Sequence, residues 1–355
     1  MATTTRDRRP PAAGSRTRET VPRLCRTMVT GAAGFIGSHV VDALLARGQT
    51  VIAVDRRSPD ADPVAAMNLA DAAAHPALTV VPADLAEADL AALMAGCETV
   101  IHLAAVPGVR SSWGGRFPDY VGANLLGTQR VVEACWTAGV RRLVVASSSS
   151  VYGSSSVLSR EGDRTDPISP YGVTKLAAEQ LCLAYSRRVD CPTSVMLLRY
   201  FTVYGPRQRS DMALGRVLAS ALTGVPFPLY GDGQQRREFT YISDAVAATI
   251  AAAEAPVSGG VVINVGSGAT ASMREVIDLA GQVTGRPVPI AATRSQPGDV
   301  LTTTADLSQA RQLLSYRPQV ALRDGIQQQF DWLMDLAPHQ RTALLAEQLP
   351  EVATA

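Results

Sequence analysis

Residues 29–40 read VTGAAGFIGSHV, with Gly31, Gly34 and Gly37 three apart. The triplet follows a short β-branched run and precedes an apolar segment of helix length. Glycine permits a tight turn and lets backbone come close to a ligand. A helix starting there offers free N–H groups and a partial positive charge to an anion such as a pyrophosphate. The spacing is GxxGxxG rather than GxGxxG, and a lone glycine triplet is a weak signal. Its place after a strand and before a helix gives it weight.

Outward from this stretch, short apolar runs alternate with helix-length segments. Strands are predicted at 27–31 (TMVTG), 49–55 (QTVIAVD), 77–84 (ALTVVPAD), 98–105 (ETVIHLAA), 141–148 (RRLVVASS) and 193–200 (TSVMLLRY). Helices are predicted at 38–47, 124–138 and 171–187. The strand runs are continuously apolar, the pattern of strands buried on both faces. The expectation is an α/β fold, a Rossmann-type doubly wound parallel sheet with a smaller irregular lobe. Residues 24–200 form the dinucleotide-binding domain, joined by a returning strand near 260–268 (GVVINVGSG). Residues 201–335 are mainly the substrate lobe, and 1–23 and 336–355 are tails.

Asp55 ends the second predicted strand, where a carboxylate can hold both ribose hydroxyls of a dinucleotide. It disfavours a 2′-phosphate, so NAD is expected rather than NADP, although Arg56 and Arg57 alongside pull the other way. Asp84, with Leu85, ends the third strand and suits an adenine amino group; the plainer role is a helix N-cap.

The 33 Lys and Arg nearly balance the 32 Asp and Glu, so no overall field draws the chain to nucleic acid or to a membrane. The five cysteines lack CxxC spacing and read as small fillers in a reducing compartment. The first residues are rich in Arg, Thr and Pro without an apolar signal core, and no apolar run reaches spanning length. A soluble cytoplasmic globular protein is expected. Cys97, His102 and Trp136 read as packing residues, and no metal-ligand spacing is present.

SPYGVTK (169–175) places Tyr171 and Lys175 four apart at a helix start, on one face. A phenol is a poor base at neutral pH. A nearby ammonium, together with a positive nicotinamide, should favour the phenolate. With TGAAGFIG, HLAA, SSSSVYG, YGVTK and RREFTYISD, the chain resembles an extended short-chain dehydrogenase/reductase, the family of nucleotide-sugar epimerases and dehydratases. The resemblance runs from about residue 27 to 332. It implies tightly held NAD, cofactor contacts at Phe35, Ile36, Ala104 and Ala105 beside the glycines and acids above, and a hydride passing from sugar C4. It also implies a substrate hydroxyl polarised by Ser148, four before the tyrosine of VYG, and deprotonated by Tyr171. Relatives are often dimers through helices like 124–138 and 171–187, so a homodimer is expected.

Which reaction the family fold performs turns on Ser149 and Ser150. Sugar dehydratases of this kind carry an acid pair there, and decarboxylases keep a glutamate at the second position. Without either acid, elimination lacks its general acid and base, which leaves epimerisation at C4. RYFTVYGPRQRSDMA (199–213) and AAVPGVRSSW (104–113) resemble bacterial UDP-glucuronate 4-epimerases, with Thr202 where simple UDP-galactose epimerases have an amide. Ser149, Ser150 and Thr202 are then candidates to hold a sugar carboxylate, or else they satisfy backbone groups in turns. Arg110 is expected near the substrate, Arg209 and Arg237 on the diphosphate, and Asp299 at the nucleotide ribose. A UDP-glucose/UDP-galactose 4-epimerase is the alternative; a silent dinucleotide-binding regulator is disfavoured by the intact Ser148, Tyr171 and Lys175.

Overall fold

The structure is a computed structural model that describes residues 25–154, 158–294 and 302–348. Its centre is a seven-stranded parallel sheet: β1 (Arg26–Thr30), β2 (Thr50–Asp55), β3 (Leu78–Pro82), β4 (Thr99–His102), β5 (Arg142–Ser148), β6 (Ser194–Tyr200) and β7 (Gly260–Val265). The strand order is β7-β6-β5-β4-β1-β2-β3, so the winding reverses between β1 and β4. A crevice opens at such a reversal, outside the carboxyl ends of the strands, and ligands bind there.

Successive residues of each strand face opposite sides, and both sides are apolar. Val29, Ala53, Ile101, Val144 and Met196 join one core. That side is covered by α1 (Phe35–Ala46) and, further along the chain, Ile242–Glu254. Met28, Val54, Val100, Val145 and Leu197 join the other core, covered by α2 (Gly127–Ala138) and α3 (Pro170–Ser186). Burial on both faces is why the strand runs are continuously hydrophobic.

After β6 the chain builds a lobe of short paired strands. Val203–Tyr204 pairs with Thr240–Tyr241, Arg236–Glu238 with Thr270–Ser272, and Phe227–Tyr230 with Ile290–Thr293. They pack with α4 (Ala213–Thr223), α5 (Ile242–Glu254), α6 (Met273–Thr284) and α7 (Leu322–Asp335). Two expectations change. Residues 336–355 were placed in a tail, but Pro338–Gln348 form a further helix, α8, that packs on α4 and buries Leu344 and Gln348. The helix expected from 124 begins earlier: Phe117–Tyr120 leads into a π-helical turn, Val121–Leu126, and then α2. Among the described residues no helix is long and apolar enough to cross a membrane.

Candidate active site

The glycine turn is as tight as its spacing suggests. Gly31 has φ +70°, and a Cβ there would sit 2.6 Å from the Ala104 nitrogen; one on Gly37 would sit 2.0 Å from the Gly31 carbonyl. Ala104 and Ala105 therefore follow β4 directly against the turn, outside the sheet. Gly34 caps α1 with no side-chain bond and no acid in the first turn. The first ladder bond runs from Ser38 to the Gly34 carbonyl at 3.0 Å, which leaves the N–H groups of Phe35, Ile36 and Gly37 directed at whatever lies before the helix.

Asp55 ties β2 to this turn. One carboxylate oxygen accepts from Ala33 N–H and the other from Arg57 N–H, both at 3.0 Å. A carboxylate has about four acceptor sites, so acceptor capacity remains for ribose hydroxyls. The Arg57 guanidinium donates to the Ala33 carbonyl at 2.9 Å and stands 3.8 Å from Asp55. It braces the turn. Asn68 donates to the same carbonyl at 2.9 Å. Asp84 accepts from Ala86 N–H at 2.8 Å, the local turn role, while Arg130 holds the Leu85 carbonyl at 2.6 Å. The cradle that a Cβ would fill, the uncapped helix and the free carboxylate sites fit a dinucleotide with an unphosphorylated ribose.

The candidate catalytic side chains, Ser148, Tyr171 and Lys175, come from the elements on the other side of the crevice, β5 and α3. Ser169 accepts from Gly172 N–H at 3.1 Å and Pro170 opens α3, a cap that fixes Tyr171 and Lys175 on one helix face. Ser148 ends β5. Burial raises the Tyr171 pKa, and the Ser148 hydroxyl and the charge of Arg209 pull it back down. Lys175 is buried and pushed down to about 8, with Cys182 and Glu179 opposing. The expected lowering of the phenol is thus not delivered by the chain's own groups: desolvation outweighs them.

The four serines divide their work. Ser147 donates to the buried Glu179 at 2.9 Å, a carboxylate that also holds Arg199. Ser148 faces Tyr171 and accepts from Ser150 N–H at 3.1 Å. The hydroxyls of Ser149 and Ser150 make no hydrogen bond to a described residue. In register, Ser148 lies beside Tyr200 of β6, which brings Thr202 alongside the serine turn. The Thr202 carbonyl accepts from Thr240 N–H at 2.8 Å, and its hydroxyl too has no partner among the described residues.

The arginines separate. Arg110 lies 3.9 Å over the Tyr230 ring. Arg237, on the strand Arg236–Glu238, donates to the Arg236 carbonyl at 2.9 Å. Arg209 was expected on the diphosphate. Its guanidinium donates to Asp211 through bonds of 3.0 and 2.8 Å, and its charge acts on the Tyr171 phenol. Asp299 lies outside the described residues. His102 is a packing residue, as expected, held between Thr30 (2.7 Å) and Thr128 (3.1 Å); burial and then Lys175 push it down to about 3.

Two buried polar residues had no clear sequence signal. Asn124 accepts from Val106 N–H at 2.8 Å, and donates to the Val106 carbonyl at 3.0 Å and to the Thr174 hydroxyl at 3.1 Å. Thr174 in turn donates to the Tyr171 carbonyl. The only hint was a polar residue at the start of an apolar-patterned helix. Glu238, fully buried, accepts from Ala305 N–H at 2.6 Å and Gly268 N–H at 2.8 Å. Burial pushes it up to about 7 against these bonds.

A doubly wound sheet whose switch point joins this cradle to a Ser–Tyr–Lys set defines a nicotinamide-dependent enzyme of the short-chain dehydrogenase/reductase class. Residues 27–266 match the NAD dependent epimerase/dehydratase family, and the chain belongs to it. Its cofactor is NAD, and its activity is that of an NAD-dependent UDP-sugar 4-epimerase. Over 313 residues, 88% of this chain and 98% of the relative, it is 41% identical to an uncharacterized UDP-glucose epimerase, YtcB, of Bacillus subtilis. The solved structure of MoeE5 with UDP-glucuronic acid and NAD is 44% identical, with a TM-score of 0.81, over 87% of this chain and 99% of that one. The UDP-glucuronic acid 4-epimerase of Bacillus cereus, solved with UDP-glucuronic acid and NAD, is 39% identical, with a TM-score of 0.83, over 88% of this chain and all of that one.

Proposed function

We propose that this enzyme interconverts UDP-glucuronate and UDP-galacturonate. The observation that carries the reading is that the hydroxyls of Ser149, Ser150 and Thr202 have no partner among the described residues, in the two segments that leave the paired strand ends Ser148 and Tyr200, with no acid at these three positions. The glycine turn, α1 and Asp55 would hold NAD, which when bound would supply the acceptor and donor of the C4 hydride. Tyr171 takes the proton of the C4 hydroxyl while Ser148 shares its hydrogen bond, and C4 becomes a ketone. Burial holds the phenol up, so the phenolate would be favoured by Lys175 on the same helix face only together with the positive nicotinamide of bound NAD. Once the keto sugar has turned over, Tyr171 returns the proton as C4 is reduced on its other face.

A 4-keto uronic acid is a β-keto acid and loses carbon dioxide when its C5–carboxylate bond aligns with the ketone π system. Three hydroxyls holding the carboxylate keep that bond out of alignment. Arg110 stands near the substrate, and Arg209 and Arg237 serve the diphosphate. The 41% identity to a Bacillus subtilis UDP-glucose epimerase favours the second reading, a neutral hexose. The test is separate incubation with UDP-glucuronate and UDP-glucose, with products resolved by chromatography. UDP-galacturonate formed at the higher kcat/KM supports the proposal; UDP-galactose formed faster overturns it.

A homodimer forms part of the proposal. Leu126 (57% exposed) and Val173 (47% exposed) stand on the neighbouring π-helical turn and α3, an apolar face that a second copy of the chain would cover.

A further inference from the structure

The catalytic set described above does not account for Tyr120. This tyrosine is fully buried and ends the short helix Phe117–Tyr120, directly before the π-helical turn. Its hydroxyl meets three atoms of one loop: Ser111 Oγ at 2.7 Å, the Pro107 carbonyl at 3.0 Å and the Gly108 carbonyl at 3.0 Å. A phenol has one proton. The consistent assignment is that Ser111 donates to Tyr120, and Tyr120 shares its proton between the two carbonyls. The loop is wrapped closely enough that Gly108, at φ +108°, has no room for a side chain: a Cβ would lie 2.6 Å from Ser111 Oγ and 3.5 Å from the Tyr120 oxygen.

The other end of the same side chain reaches the chemistry. The Tyr120 ring packs edge-on against Tyr171, with centroids 6.3 Å apart and planes at 75°. The loop it grips carries Arg110, which stacks on Tyr230 of the second lobe. The π-helical turn accounts for the placement. Its wider turn sets Tyr120 and Asn124, four apart, toward both the 106–111 segment and α3; π turns of this kind mark functional sites. Asn124 holds Val106 and Thr174; Tyr120 holds the rest of the loop and packs on Tyr171.

We infer that Tyr120 is a positioning residue with two separable jobs: its hydroxyl sets the 107–111 loop that meets the UDP-sugar, and its ring sets the catalytic Tyr171. The inference rests on the epimerase activity and on Arg110 facing the substrate, and it holds for either sugar. The experiment compares Tyr120→Phe, Tyr120→Leu and Ser111→Ala with wild type. It measures kcat and KM with both UDP-glucuronate and UDP-glucose, bound NAD released by denaturation, and melting temperature. Wild type inactive on UDP-glucuronate counts against the uronate reading alone, and the comparison then proceeds with UDP-glucose.

Tyr120→Phe keeps the ring and loses the shared proton. Its KM is expected to rise at least about tenfold, the scale of one or two hydrogen bonds, with kcat within about threefold and NAD content unchanged. Tyr120→Leu also removes the edge contact, so kcat falls a further tenfold or more, roughly the cost of a small misplacement of a reacting group. Ser111→Ala raises KM less than Tyr120→Phe. A Tyr120→Phe enzyme with KM within twofold of wild type overturns the inference, as do equal kcat values for the Phe and Leu variants. Should Tyr120→Phe lose NAD and stability together, Ser111→Ala decides: an unchanged KM overturns the inference.

Discussion

The serine run offers a graded test, because the structure assigns its members different partners. Ser147→Ala removes one hydrogen bond to a buried carboxylate that also holds Arg199. Bonds to charged groups contribute about 1.5–3 kcal/mol. With an unfolding entropy of roughly 2.1 cal/mol/K per residue over this chain, the melting temperature falls by about 2–4 °C. The KM for UDP-glucuronate stays near wild type. Thr202→Val does the reverse. Its hydroxyl has no partner among the described residues, so the isosteric swap loses no protein hydrogen bond and moves the melting temperature by less than about 1 °C. It does lose a bond to the substrate carboxylate, about 1.5–3 kcal/mol, and KM rises by a factor of about 10–150. Ser149→Ala and Ser150→Ala behave like Thr202→Val on a smaller scale. In all three, a UDP-4-keto-pentose or its reduced form accumulates beside UDP-galacturonate, because the freed carboxylate can align with the ketone. The assay is differential scanning calorimetry with chromatographic product ratios. Wild-type affinity and product ratios in all three variants would sink the carboxylate clamp and favour a neutral-hexose epimerase. A loss of substrate affinity confined to Ser147→Ala would refute the division of roles among the serines.

Further outcomes follow from the same geometry. Tyr171→Phe lowers kcat at least about a hundredfold while bound NAD, measured after denaturation, is unchanged; activity within twofold of wild type removes Tyr171 from the chemistry. Gly37→Ala forces a Cβ to 2.0 Å from the Gly31 carbonyl, so the purified protein loses its NAD; full NAD occupancy contradicts the cradle. His102 is held near 3 in the fold against an ordinary 6.5, so the unfolded chain takes up a proton first as pH falls. The stability from His102 is therefore complete above about 6.5 and is lost as pH drops toward 3, about 2 kcal/mol between pH 7 and pH 5. Denaturant titrations of His102→Gln at those two pH values should show that loss reduced; an identical loss refutes it. Leu126→Asp places a charge on the exposed apolar face, and sedimentation should then report monomer where wild type is dimer; a wild-type monomer ends the dimer proposal.

Sequence alone determined what adjacent residues dictate. The turn at Gly31 needs φ +70° and close approach, requirements written into the glycines themselves. Asp55 stands where β2 stops, and Tyr171 and Lys175 share a helix face by spacing. The continuous apolar runs follow from burial on both faces, so the doubly wound sheet was legible before any coordinate. Tertiary structure decided what depends on partners distant in the chain. Ser147 belongs to Glu179, 32 residues on, while Ser148 belongs to Tyr171, and nothing in four identical letters separates them. Among the chain's own groups the direction of the Tyr171 pKa is set by desolvation, a property of the whole surrounding fold that no local spacing reveals. Tyr120 and Asn124 look like ordinary residues of a helix until the π-helical turn sets them against both the 106–111 segment and α3. Helix α8 is stabilised by burial of Leu344 and Gln348 at α4, an energy that its own short sequence does not carry. Local backbone demands appear in neighbouring residues, whereas side-chain partners and dielectric environment exist only once distant segments meet.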